Sequence, residues 1–295
     1  MAENFTILVG TVGQGIIRSE DGGENWQRAG INSGLHSDAL VRTVVSHPRD
    51  PHKVSAGTEK GLYKSGNAGK DWKLVDSVLT NNCVWSLAID KSDPGTMYAG
   101  TGTPDPSSIF RSSDGGETWE ERPVEVAKEC PAVGVPRVTG IAIDPDNRQD
   151  IWVGFEVDGV RRSTNGGDTW EKVATSIPNL DVHNVAVSSG PPKTVVVVVN
   201  NDVYTSEDGG EEWKAVGIKN VFPMTYPRGI LVKPDDPKTI FLTIGDTTPG
   251  STGAIMRSTD TGKTWSALPL PVQPNTAMWV VYTQPFDSQL MFAGS

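Results

Sequence analysis

This 295-residue chain has only two cysteines, Cys83 and Cys130. Two are too few for a disulfide framework, and their separation matches no zinc-ligand spacing, so both are expected as free thiols. The chain also lacks a basic start followed by a long apolar core and a small-residue cleavage site. Met1–Thr11 instead enters a strand-like run almost at once, so neither export nor membrane insertion is signalled; a cytoplasmic protein without a membrane partner is expected. No Lys/Arg cluster is interleaved with aromatics, and the formal charge of −10 opposes a phosphate backbone, which argues against nucleic acid as a partner. Nor does any apolar stretch repeat at helical spacing over three turns.

What the chain does have is one pattern repeated six times: Ser19-x-Asp21-x-Gly23-x-Asn25-Trp26, Ser65-x-Asn67-x-Gly69-x-Asp71-Trp72, Ser112-x-Asp114-x-Gly116-x-Thr118-Trp119, Ser163-x-Asn165-x-Gly167-x-Thr169-Trp170, Ser206-x-Asp208-x-Gly210-x-Glu212-Trp213 and Ser258-x-Asp260-x-Gly262-x-Thr264-Trp265. The steps between serines are 46, 47, 51, 43 and 52 residues, a period suited to four-stranded propeller blades. Around each copy lie short runs rich in Val, Ile and Trp, bounded by Asp, Pro, Asn or Gly; Val138–Ile143, Ile151–Gly154, Gly159–Arg162 and Trp170–Val173 make one such unit. The fold class is therefore all-β, a β-propeller of antiparallel four-stranded blades. The pattern itself fits the hairpin turn between strands three and four. Its Ser and Asp can bind backbone amides, its Gly permits positive φ, and its Trp can cover the gap to the neighbouring sheet.

On these residues the chain resembles the Asp-box, or BNR-repeat, propellers found in sialidases, sortilin-type ectodomains, xyloglucanases and photosystem II assembly factors of the Ycf48 kind. Asn67 and Asn165 stand where the box usually has Asp. The resemblance implies a propeller whose boxes lie on the face opposite the ligand site, and it covers enzymes, receptors and scaffolds alike. Composition fits a single domain over residues 1–295. About 25 strands can be counted where six blades need 24 and seven need 28. A six-bladed ring joined by both termini is favoured, with seven blades as the alternative.

In a propeller each blade's first strand opens at the ligand face. Aligning the repeats puts Arg42, Trp85, Thr139, His183, Arg228 and Trp279 at one level there, with Leu40, Cys83, Arg137, Asp181, Tyr226 and Ala277 two residues earlier and on the same side. Arg, His, Asp, Tyr and Trp capping an otherwise apolar set of strands suggest a funnel for a small polar or anionic ligand or a glycan. Loops of the same face add Glu59, Asp105, Glu156, Asp158, Asn200, Asn201 and Asp246.

Three functional readings follow. The first, somewhat favoured, is a glycoside hydrolase of sialidase type. Arg42, Arg137 and Arg228 would grip an anionic group, helped by Trp85, Trp279 and Asp105, while Tyr226, Glu156, Asp158, Asp181 and His183 would supply the nucleophile and the acid–base chemistry. The chain lacks the Phe/Tyr-Arg-Ile-Pro segment that sialidases carry ahead of blade one. The second is a metal-dependent hydrolase resembling six-bladed lactonases and phosphotriesterases, with Ca²⁺ held by Glu59, Asn82, Asn200 and Asp246; otherwise no cofactor is expected. The third is a non-catalytic scaffold that binds a glycan or a protein partner through Trp85, Trp279, Arg42 and Arg228.

Overall fold

The structure, a computed structural model, describes residues 5–284 and 287–295. Met1–Asn4, on which the reading of the chain start partly rests, lie outside the described residues. The fold is an all-β, six-bladed β-propeller with four-stranded antiparallel blades. Among the described residues no helix is long and apolar enough to cross a membrane.

The chain divides into two compact units, residues 1–129 with 134–138, and 130–133 with 139–295. The first unit holds a three-stranded sheet (Ile7–Gly10, Ile16–Ser19, Gln27–Arg28) and two four-stranded sheets. These are Val41–His47, Asp50–Thr58, Gly61–Ser65 and Lys73–Leu74, then Val84–Ile89, Met97–Thr101, Ile109–Ser112 and Glu120–Arg122. The second unit carries sheets four to six, apart from Val138 at the start of sheet four. Sheet four comprises Val138–Ile143, Ile151–Phe155, Gly159–Ser163 and Glu171–Val173, sheet five Val182–Val187, Val195–Val199, Asp202–Ser206 and Lys214–Ala215, and sheet six Tyr226–Lys233, Asp236–Gly245, Gly253–Ser258 and Ser266–Ala267. A two-stranded sheet, Val280–Gln284 with Asp287–Gly294, completes that unit. Its first strand begins only at Val280. The Ala277 and Met278 amides just before it donate to the carbonyls of Pro249, in a loop of the preceding sheet, and of Ile244, in that sheet's second strand.

The eight-residue turns are built as their chemistry suggests. In the third sheet Ser112 Oγ donates to Asp114 Oδ1 at 2.8 Å and accepts the Gly116 amide at 2.8 Å, while Asp114 takes the Thr118 amide and hydroxyl. Trp119 closes the turn by donating its indole N–H to the Gly116 carbonyl. Where Asn67 replaces Asp, the acid moves four residues on: Asn67 Nδ2 donates to Asp71 Oδ2 at 2.8 Å, the mirror of Asn25 donating to Asp21.

The core lies between consecutive sheets, and the turn tryptophans seal it. Trp72 packs with Ile16, Val41 and Tyr63, Trp119 with Leu62, Val84 and Met97, Trp213 against Trp152 and Val197, and Trp265 against Phe222 and Ile240. Trp26, in the first sheet of its unit, is 45 % exposed and departs from this scheme. At three of the turns a cationic side chain one residue before the turn serine fastens its sheet to the next. Arg18 reaches the Ala68 carbonyl, Lys64 that of Gly115 and Arg162 that of Gly209, always at the fourth residue of the following turn.

Candidate functional site

Four of the first strands break their ladder at one place. Register slips between Val41 and Thr43, Val84 and Ser86, Val182 and Asn184, and Pro227 and Ile230. The residues stepped over are Arg42, Trp85, His183 and, with Gly229, Arg228, four of the six that the repeat alignment puts at one level. A bulge leaves its extra residue out of the ladder and re-aims the side chain, and bulges are over-represented beside active sites. The sequence alignment found the position but not this device. Just beyond the bulges the sheets nearly touch. A Cβ on Gly57 would lie 2.8 Å from Val84 Cγ1, and one on Gly154 2.5 Å from Val182 Cγ1, so only hydrogen fits at either place.

In the first unit bulged Arg42 and, from the connection before Val138, Arg137 gather on bulged Trp85. The Arg42 guanidinium lies 4.1 Å and that of Arg137 4.8 Å from the indole ring centre, both in cation–π range. The indole N–H donates to the Thr103 carbonyl at 3.0 Å, which fixes the ring. Asp105 accepts the Cys83 amide at 2.6 Å, and Glu59 accepts the Leu40 amide at 2.8 Å. Cys83 is a free, buried thiol, and burial pushes its pKa up against the opposing pull of Arg42. Cys130 is likewise free.

In the second unit the centre is Arg228. Its guanidinium lies 4.4 Å from the Trp279 ring centre and 5.6 Å from that of Tyr226, and Nη1 donates to the Tyr226 hydroxyl at 3.2 Å. Burial pulls its pKa down, while Tyr226, Glu156 and Asp181 push it back up, which makes both carboxylates electrostatic neighbours of this cation. His183 stands edge-on to Tyr226, with ring centres 5.2 Å apart, and its Nδ1 lies 2.7 Å from the Pro227 carbonyl oxygen. That oxygen can only accept, so Nδ1 carries the proton and Nε2 the lone pair. Burial, reinforced by Arg228, lowers the His183 pKa to about 3. The alignment suggests Asp181 as the group orienting this ring, but the carboxylate is 3.9 Å from Nε2, and the backbone of Pro227 does that work.

Asp181 belongs instead to an amide relay. Asn200 Nδ2 donates to Asp181 Oδ2 at 2.8 Å, and Asn179 Nδ2 donates to both Asn200 and Asn201. Thr139, the hydroxyl at the same level, donates to the Val182 carbonyl at 2.7 Å and so ties neighbouring strands together. Glu156 is buried. Asp158 is spent on structure, with Arg161 Nη2 at 2.7 Å and Lys172 Nζ at 3.1 Å holding its two oxygens.

Among the described residues no three His, Cys, Asp or Glu side chains are gathered to hold a metal ion. The hard donors expected for Ca²⁺ have local partners. Glu59 and Asn200 are bonded as described, Asn82 donates to the Val78 carbonyl, and Asp246 takes the amides of Thr247 and Ser251 and the Ser251 hydroxyl.

With fold and site in view, the comparisons narrow the class. Residues 158–293 match the Sortilin-Vps10 family (sortilin, neurotensin receptor 3). A xyloglucanase of Hypocrea jecorina is 27% identical over 288 residues, covering 82% of this chain and 33% of that protein. The structure of an ancestral GH74 enzyme superposes with a TM-score of 0.70 at 18% identity, over 88% of this chain and 36% of that one. Ycf48 bound to a D1 peptide superposes at 0.66 and 17% identity, over 99% of this chain and 87% of that one. The chain spans a third or less of the length of the curated relatives it matches. In fold and sequence it is thus similar to propellers of the BNR, sortilin-like superfamily, and within them to the glycoside-hydrolase-like ones.

Proposed function

We propose that this propeller binds a glycan of the xyloglucan class against the Trp279–Arg228–Tyr226 cluster and hydrolyses it with Glu156 and Asp181. The observation that carries the reading is the partly buried cation Arg228, held between two aromatic rings and electrostatically coupled to both of these carboxylates. Half-exposed Trp279 offers a flat apolar face to a sugar ring, and Arg228 and Tyr226 offer donors to its hydroxyls.

Glycoside cleavage needs one carboxyl to protonate the leaving oxygen and a second carboxylate to attack or to activate water. Asp181, whose side chain is 22% exposed and anchored by Asn200, is open to water and takes the second role. Glu156 takes the first. Tyr226 and His183 position the cluster, since a ring with a pKa near 3 is neutral at pH 7 and a poor proton acceptor. Arg42, Arg137 and Trp85 form a second stacking surface for the same class of ligand.

Reducing-end release from xyloglucan tests the reading, with melting temperature as the control. Glu156→Gln and Asp181→Asn should each lower turnover by about 10²-fold or more with melting unchanged. Full activity in both variants would overturn the assignment.

A further inference from the structure

A second concave surface lies at the edge of the fifth sheet, beside the connection that leads into its bulged first strand. It is an open cleft of about 570 Å³, bounded by the connection that enters the sheet at Leu180, the tight turn at Asn201 and Asp202, and the connection that leaves it through the short helix Ile218–Val221. This volume falls within the ~300–1,000 Å³ span of small-ligand sites.

The cleft is held open by its own backbone. Asp202 Oδ1 accepts three amides, from Val203 at 2.8 Å, Gly217 at 3.0 Å and Ile218 at 3.1 Å. Gly217 sits in the left-handed region at φ 70°, so the chain turns sharply over the carboxylate and presents Lys219 and Asn220 to the opening. The side chains of Asn201, Tyr204, Lys219 and Asn220 line the opening with Asp202 and supply its polar groups. The Tyr204 ring and Leu180, 37% exposed, supply the apolar part of the lining.

This lining selects among ligand classes. One carboxylate and one ammonium cancel, so the cleft has no field to hold a phosphate or a polyanion. Its apolar surface is too small for a lipid or an apolar peptide side chain. Amides, a phenol and one aromatic face suit a neutral ligand rich in hydroxyls, which presents C–H to the ring and O–H to the amides. The cleft is also wired to the candidate site, because Asn179 bonds Asn201 at the cleft and Asn200 behind it, and Asn200 bonds Asp181.

We infer that the cleft lined by Leu180, Asn201, Asp202, Tyr204, Lys219 and Asn220 is a secondary binding site for a neutral oligosaccharide. The inference rests on the glycan reading of the Arg228 cluster for its ligand class and adds a second place of contact. Occupation of the cleft would order the Asn179–Asn200 relay and steady Asp181.

The test is calorimetric titration of the whole chain with a xyloglucan oligosaccharide, and with tetragalacturonate as the charged counterpart, backed by amide hydrogen exchange. Lys219→Ala combined with Asn220→Ala changes two exposed side chains, and Trp279→Ala serves as the variant at the first site. The oligosaccharide should protect residues 200–204 and 217–221 from exchange, and the double variant should weaken binding about fivefold to twentyfold, as loss of one or two polar contacts does. Tetragalacturonate should not bind the cleft. Unchanged affinity in the double variant with loss in Trp279→Ala would overturn the cleft and leave the first site standing. Loss only in the double variant would keep the cleft and overturn the first site, and absence of oligosaccharide binding to the unaltered chain would overturn both.

Discussion

His183 and Pro227 are joined by a 2.7 Å hydrogen bond from a ring N–H to a backbone carbonyl, and through it the fifth sheet's bulged residue is fastened to the sixth sheet's first strand. The bond fixes the tautomer and the burial removes the charge.

Acid should therefore destabilise the protein through this ring. The unfolded chain binds a proton at His183 near pH 6.5 and the folded chain only near 3, so the unfolded state holds more protons between those values. The contribution is complete above about pH 6.5 and is lost on acidification towards 3, at up to about 1.4 kcal/mol per pH unit. Melting temperatures of the parent and of His183→Gln, measured between pH 7.5 and 4, should converge as the pH falls. Parallel curves would show that the ring does not titrate in this way.

The turn tryptophans should divide by burial. Trp119, 5% exposed within the core of its two sheets, should cost roughly 3–5 kcal/mol on replacement by Ala. Trp26, 45% exposed, should cost about 1 kcal/mol or less. Urea unfolding of both variants checks the order, and equal losses would contradict it.

Much of this architecture was legible in the sequence. The six Ser-to-Trp patterns gave the turns, their spacing the strand number per sheet, and strand alternation the level of Arg42, Trp85, His183 and Arg228. Hidden from view was how that level is made. A bulge has no residue signature of its own, because it is a misfit between two strands rather than a property of one. The pairing of Arg137 with Trp85 was equally unreadable, since Arg137 lies in a connection and its approach depends on where that loop lands. By contrast, a cation stands before the turn serine at Arg18, Lys64 and Arg162 in the sequence itself, but its bond to the next turn is seen only in the fold.

That fastening can be measured at Arg162, which bonds both oxygens of buried Asp150 and also the Gly209 carbonyl. Arg162→Ala leaves Asp150 buried without its cation and should destabilise by about 3 kcal/mol or more. Adding Asp150→Leu should recover part of that loss, a coupling that a double-mutant cycle reads directly. Additive losses would mean that the pair is not coupled.

Chelation should leave the fold alone. Glu59, Asn82, Asn200 and Asp246 already bond backbone or amide partners. EDTA should not move the melting temperature; a fall of several degrees would favour the calcium-centred reading instead.

The most direct test of the central claim is a crystal structure of Glu156→Gln soaked with a xyloglucan oligosaccharide. The account predicts a sugar ring stacked on Trp279, with hydroxyls at Arg228 and Tyr226 and the glycosidic oxygen beside residue 156. An oligosaccharide bound elsewhere, with Trp279 and Arg228 bare, would contradict it.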